Sequence, residues 1–189
     1  MLVSGDNQLF GRAEPSGSYY FTRYAHIWGW ATWRRAWAKY DLEMEKWPEI
    51  RERRLFDQYF HSASERYYWD SIFQYVYEGN IDTWDYQWVY SIWANNGLCA
   101  APRRNLVWNI GFNAESTHTK GDSVFSGLKA ESLEFPLSHP EPLICSADLD
   151  ALEAALRTKN SKALRYPLNK YASAAKRLVK KLRRNGKAR

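Results

Sequence analysis

The sequence predicts an α/β chain that is helix-rich with a few strands and carries a helical tail at its C-terminus. Three observations carry this reading. Helical spacing dominates from Trp30 to Ala94, whereas two strand-like runs come late, at Leu98–Pro102 and Asn105–Ile110. There is no regular alternation of strand and helix of the kind that builds a parallel sheet within one chain. The opening, MLVSGDN, reads as the end of a buried strand entered partway through a fold. Together they describe the later part of a larger α/β domain, with most of its parallel sheet lying elsewhere.

Each element has a local reason. SYYF (Ser18–Phe21) alternates as a short strand. Trp30, Trp33, Trp37 and Tyr40 recur at helical spacing, which predicts a helix behind a bend at Gly29 and an aromatic core stripe on it, Trp33 and Trp37 above all. Pro48 suits the first turn of a helix over WPEIRERRLFDQYF. Ser64 is the expected cap of SERYYWDSIFQYVYEG, which Gly79 ends. Asp82 or Thr83 starts the next helix, with Asp82 the expected cap, and Asn96-Gly97 stops it. GFNAESTHTKGDS (Gly111–Ser123) is a long polar loop of the kind that often carries function. The chain is Pro-rich from Phe135, and ADLDALEAALRTK is an amphipathic helix. The organisation expected is a main part at 1–140, a Pro-containing linker and amphipathic helix at 141–169, and a basic tail at 170–189.

Composition bounds the function. A chain of 189 residues with 45% hydrophobic and 25% charged residues can bury a core without staples. The net charge of +6 is unevenly placed: Lys170–Arg189 holds nine of the 27 Lys and Arg and none of the 21 acids, so the body stands at −3. Nucleic-acid binding would want the basic surface on the aromatic body, and that class is set aside. The tail, with Leu178, Val179 and Leu182 on one side, is a candidate for an anionic membrane surface or a solvated appendage. No run is long and apolar enough for a membrane span, no signal peptide opens the sequence, and Cys99 and Cys145 have no metal or redox spacing. A reduced, cytoplasmic chain is expected, peripheral at the inner membrane if the tail binds there.

All ten Trp lie between Trp28 and Trp108. Aromatic density of this kind forms a core or a wall on which sugar rings stack. Trp28 and Trp30, beside Gly29, suit either role. In GNIDTWDYQWVYSIW, Asp85 is either an acid in a first helical turn or a carboxylate base walled by Trp84 and Trp88. Burial against the rings would raise its pKa and the helix dipole would lower it. Asp148-Leu149-Asp150 has the spacing of a metal-binding acid pair, but its place at the start of an amphipathic helix favours a dipole-stabilised helix start. Arg103 and Arg104 suit phosphate recognition or a solvated loop face, and His26, beside a turn, is expected to be structural.

SGDN, YYFTRYAHIWGWATWRRAW, IDTWDYQWVYSIWANNGL and NLVWNIGF…STHT resemble the C-terminal half of bacterial GT-A-fold nucleotide-sugar glycosyltransferases, over about residues 3–140. The order of a Gly-Trp turn, a Trp-Asp helix, a strand and a His loop is also distantly similar to N-acetylglucosaminyltransferases of N-glycan synthesis. The resemblance implies a partial GT-A (nucleotide-diphospho-sugar transferase) fold, its acceptor-side half, and sugar transfer to a glycan hydroxyl in surface polysaccharide or lipopolysaccharide assembly. It places the catalytic base at Asp85, which implies inversion. It places the donor–acceptor pocket at Trp28, Gly29 and Trp30 with Trp84 and Trp88, and a closing loop at His118, near diphosphate or metal. Mn or Mg would be held mainly by the family's preceding donor-binding half, which is expected to be missing here or supplied as a separate chain. The partners implied are a nucleotide-sugar and a glycan acceptor. A non-catalytic carbohydrate-binding module and an inactive remnant are the alternatives.

Overall fold

The computed structural model describes residues 1–108 and 128–160. It is mixed α/β, with a four-stranded sheet and five α-helices among the described residues. The strands are β1 (Leu2–Val3), β2 (Tyr19–Thr22), β3 (Ala31–Thr32) and β4 (Cys99–Pro102), and the sheet order is β2-β4-β1-β3. β1 and β4 run parallel, pairing Leu2 with Cys99 and Val3 with Ala100, while β2 and β3 flank them antiparallel. The opening residues are thus an inner strand, as MLV suggested. Because β1 and β4 are parallel, the loops that follow them, Ser4–Asn7 and Arg103–Asn105, leave from the same edge of the sheet.

The helices are α1 (Arg34–Trp37), α2 (Trp47–Glu52), α3 (Ala63–Tyr77), α4 (Asp85–Ala94) and α5 (Ala147–Asn160). Several bounds differ from those expected. The stretch from Trp30 to Tyr40 is not one helix: Ala31 and Thr32 pair with β1 first, so tertiary pairing overrides the helical spacing. Trp33 and Trp37 are not core residues either; they are 44% and 40% exposed. Trp33 lies under the Arg35 guanidinium at 5.2 Å. Pro48 does sit in the first turn of α2, but that helix ends early because Arg54 turns left-handed (φ 55°). Phe56 is thereby carried back onto Trp47 and Phe73, with a 3₁₀ turn at Asp57–Tyr59. The cap of α3 is Ser62, not Ser64: its Oγ accepts from the Glu65 N–H at 3.1 Å. Asp82 is exposed and caps nothing, since α4 has no side-chain cap. Asn105–Trp108 form no strand, and residues 109–110 lie outside the described residues.

The core lies where α3 and α4 meet the sheet. Trp93 sits at its centre, against Trp69 (4.8 Å), Phe56 and Phe73 (both 5.6 Å), and its Nε1 donates to the Arg23 carbonyl at 2.8 Å. Each ring burial removes a large apolar surface from water, and the edge-to-face arrangements add to it.

Helix α5 closes over this core through buried charges. Asp150 pairs with Arg23 at 2.9 Å, and Glu153 Oε1 meets His26 Nε2 and Arg157 Nη2, each at 2.8 Å. Arg157 also lies over the Tyr24 and Trp69 rings. The Asp148–Asp150 pair is therefore a helix start: Asp150 is buried in its ion pair and Asp148 is exposed. Among the described residues no helix is long and apolar enough to cross a membrane.

Candidate functional site

The carboxyl edge of the parallel pair is built from an interlocked set of short loops. Asp6 is fully buried; it accepts from Ser4 Oγ at 2.6 Å and from Gln8 Nε2 at 2.8 Å. Asn7 Nδ2 donates to the Pro102 and Arg103 carbonyls at 2.8 and 3.0 Å, and its own N–H reaches Asn105 Oδ1 at 3.1 Å. These bonds satisfy backbone groups that the ends of β1 and β4 leave open. Gly5 N donates to the Trp28 carbonyl at 3.2 Å, and Leu106 N to the Gly5 carbonyl at 2.8 Å. SGDN is thus the structural hub of this edge.

Gly29 is required by both conformation and space. Its φ is +60°, and a Cβ there would overlap Val107 Cγ1. The tight approach of Gly5, Gly29 and Val107 sets the exit direction of the chain, so Trp30 projects toward the start of α4. There Trp30 stacks on Trp84 with ring centroids 5.2 Å apart and planes 28° apart. Trp88 lies behind at 6.5 Å from Trp30, fully buried. Trp37 and Tyr40 extend the wall: their rings stack at 4.6 Å, and Trp37 lies 5.0 Å from Trp88. Trp84 and Trp37 are each 40% exposed, which leaves part of the wall open to solvent.

Asp85 stands at the first position of α4 beside this wall, half-buried, where the helix N-terminus favours a negative charge. The Thr83 hydroxyl donates to its Oδ1. The Tyr40 hydroxyl donates to the Trp84 carbonyl at 3.2 Å. Burial, and then the charges of Asp85 and Asp41, raise the Tyr40 pKa above the usual tyrosine value, so its hydroxyl remains a neutral donor at the wall. A carboxylate with one lone pair oriented by a hydroxyl, next to a partly open aromatic face, can accept a proton from a polyol stacked on that face.

The structure brings Trp30, Trp84 and Trp88 into one cluster behind the Gly29 bend, with Asp85 next to Trp84 in the chain and its charge acting on Tyr40. Trp28 meets the site through its carbonyl on Gly5. His118 lies outside the described residues, as does the tail at 170–189. Trp37, Tyr40 and Thr83 belong to the cluster but were not singled out for the site from sequence. The spacing Trp30–Trp37–Tyr40 was the available signal, and it read as core. His26 is structural, fully buried between Glu153 and the Asp6 carbonyl. Among the described residues no set of three or more His, Cys, Asp or Glu side chains comes together to hold a metal ion.

No family model, curated protein or solved structure matches this chain.

Proposed function

We propose that this chain is the acceptor-side portion of a GT-A-type glycosyltransferase, with Asp85 as the base that takes the proton from an acceptor hydroxyl and the Trp30–Trp84 wall as the surface that stacks the acceptor sugar. The observation that carries the reading is the stacked pair Trp30 and Trp84, with the half-buried Asp85 next to Trp84 in the chain, its carboxylate accepting from Thr83 and its charge acting on Tyr40 of the same wall. An aromatic wall of this kind aligns a sugar ring by its apolar face. The nucleotide-sugar, with the divalent cation its diphosphate carries, is assigned to a donor-binding unit beyond the described residues. Surface polysaccharide or lipopolysaccharide is the acceptor class that the resemblance supports.

The test is sugar transfer from a panel of nucleotide-sugars to oligosaccharides, by the chain alone and fused behind a GT-A donor-binding half. Asp85→Asn keeps the shape of the side chain but cannot accept the proton, and should lower turnover by about 10²–10⁴-fold with donor binding little changed. A folded Asp85→Asn variant that turns over near the parent rate sinks the assignment. The partial exposure of Trp37 and Trp84 also supports a second reading, a carbohydrate-binding module without catalysis. Saccharide binding with no transfer in any combination would favour it.

A further inference from the structure

A groove of about 490 Å³ opens at the carboxyl edge of β1 and β4, the place where open α/β sheets receive ligands. Its volume lies within the usual range for small-ligand sites. Asn7 and Asn105 line it, with Arg103, Arg104 and Lys129 as its bases and Glu14 and Glu131 as its acids. Arg103 and Arg104 converge on one oxygen. Glu14 Oε1 accepts from Arg103 Nε at 3.1 Å, Arg103 Nη2 at 2.7 Å and Arg104 Nη2 at 2.8 Å. Three guanidinium N–H groups aimed at a single carboxylate oxygen make a formed anion seat, and in this structure the chain's own Glu14 fills it.

That occupant is replaceable. Glu14 is exposed, with its side chain 52% accessible, and ion pairs of this kind contribute little to stability. It lies between Ala13, which packs against the cluster that includes Tyr20 and Ala101 of the sheet, and the buried Pro15, so the side chain can swing aside while the backbone stays in place. The Arg103 hydrogen bond, then the charges of Arg103 and Arg104, hold its carboxyl below the usual range. Glu14 is thus an anion when it sits in the seat, as a competing ligand group would be. With Glu14 displaced, three bases face one acid. The groove also adjoins the aromatic site: Asn105 Nδ2 donates to the Val107 carbonyl at 2.7 Å, and Val107 is the residue packed on Gly29.

We propose that Arg103 and Arg104 bind the anionic group, a carboxylate or phosphate ester, of an acidic saccharide, in exchange for Glu14. The saccharide half of this assignment rests on the glycosyltransferase reading; the anion seat does not. Guanidinium pairs suit such groups because their fixed N–H forks match two oxygens at once.

The experiment is a titration of the full chain with glucuronate, glucose 6-phosphate and glucose at low salt, following the arginine Nε resonances by NMR. The acidic sugars should shift the Arg103 and Arg104 signals and glucose should not. The tighter of the two acids identifies the source as carboxylate or phosphate ester. Glu14→Gln removes the competitor and should tighten binding by up to about fivefold. Arg103→Met and Arg104→Met should each weaken it by roughly tenfold or more. Equal binding of glucose, an unchanged affinity in Glu14→Gln, or parent-like binding in both arginine variants would overturn the proposal. Parent-like turnover in Asp85→Asn would remove the catalytic assignment and leave the anion result standing, so the two fail separately.

Discussion

His26 Nε2 lies 2.8 Å from Glu153 Oε1, and the two side chains are 0% and 2% exposed. They are 127 residues apart in the chain and join the loop after β2 to α5. Burial alone would push the His26 pKa down, but Glu153 and then Asp6 outweigh both burial and the opposing Arg157 and raise it from 6.5 to about 8. A histidine whose folded pKa exceeds its unfolded value contributes stability in full below the unfolded pKa and loses it as pH rises through the folded one. The melting temperature should therefore fall between about pH 6.5 and about pH 8. Glu153 behaves in the opposite sense: although burial pushes its pKa up, His26 and Arg157 hold it below 4.5, so its contribution is lost as pH falls under that value. Thermal melts from about pH 2 to about pH 9 check both flanks, and His26→Gln should flatten the alkaline one.

Removing Glu153 leaves both His26 and Arg157 without their buried partner. Glu153→Ala should cost about 3–5 kcal/mol in denaturant unfolding, because the remaining charges stay desolvated. A loss below about 1 kcal/mol would mean that water or a neighbouring acid replaces Glu153.

Gly29→Ala combines a left-handed conformation with overlap on Val107. The expected cost is about 2–4 kcal/mol. Val107→Ala in the same chain should recover the steric part and leave the conformational part, which a double-mutant cycle separates. Additive costs would show that the two residues do not press on each other.

Trp93 and Trp88 offer a matched pair. Trp93 Nε1 donates to the Arg23 carbonyl, whereas the buried Trp88 Nε1 has no partner among the described residues. Trp93→Phe should therefore be more destabilising than Trp88→Phe by about 1 kcal/mol beyond the shared loss of ring area. Equal losses would point to packing alone.

Trp84→Ala tests the wall with little damage to the core, since the ring is 40% exposed. Saccharide affinity should fall by roughly 2- to 10-fold, and stability by about 1 kcal/mol. Unchanged saccharide affinity would move the stacking surface elsewhere.

What was legible in the sequence was local. α4 was readable because Gly79 and Asn96-Gly97 bracket it and its Trp spacing is regular. The same spacing misled at Trp30–Tyr40, where two residues of pairing with β1 divide the pattern into a strand and a single helical turn. Ser62 rather than Ser64 caps α3 because the cap needs an extended backbone three residues before Glu65, and only Ser62 (φ −154°) has it. The family resemblance groups Trp30, Trp84 and Asp85 as a site; of these the fold stacks Trp30 on Trp84, while the partners Thr83 and Tyr40 emerge only once the chain is folded. The ties of Arg23 to Asp150 and His26 to Glu153 span 127 residues, and no short-range pattern announces them. Glu14 meeting Arg103 and Arg104 is of the same long-range kind.

The stacking of Trp30 on Trp84, with Trp37, Tyr40 and Trp88 packed around it, has an optical consequence. Indoles 5–6 Å apart share their excited states, so the rings at the wall absorb and emit as a coupled array rather than as separate dyes. A molecule lying on the open faces of Trp37 and Trp84 would alter that coupling directly, and near-ultraviolet dichroism and tryptophan emission would register its arrival without a label.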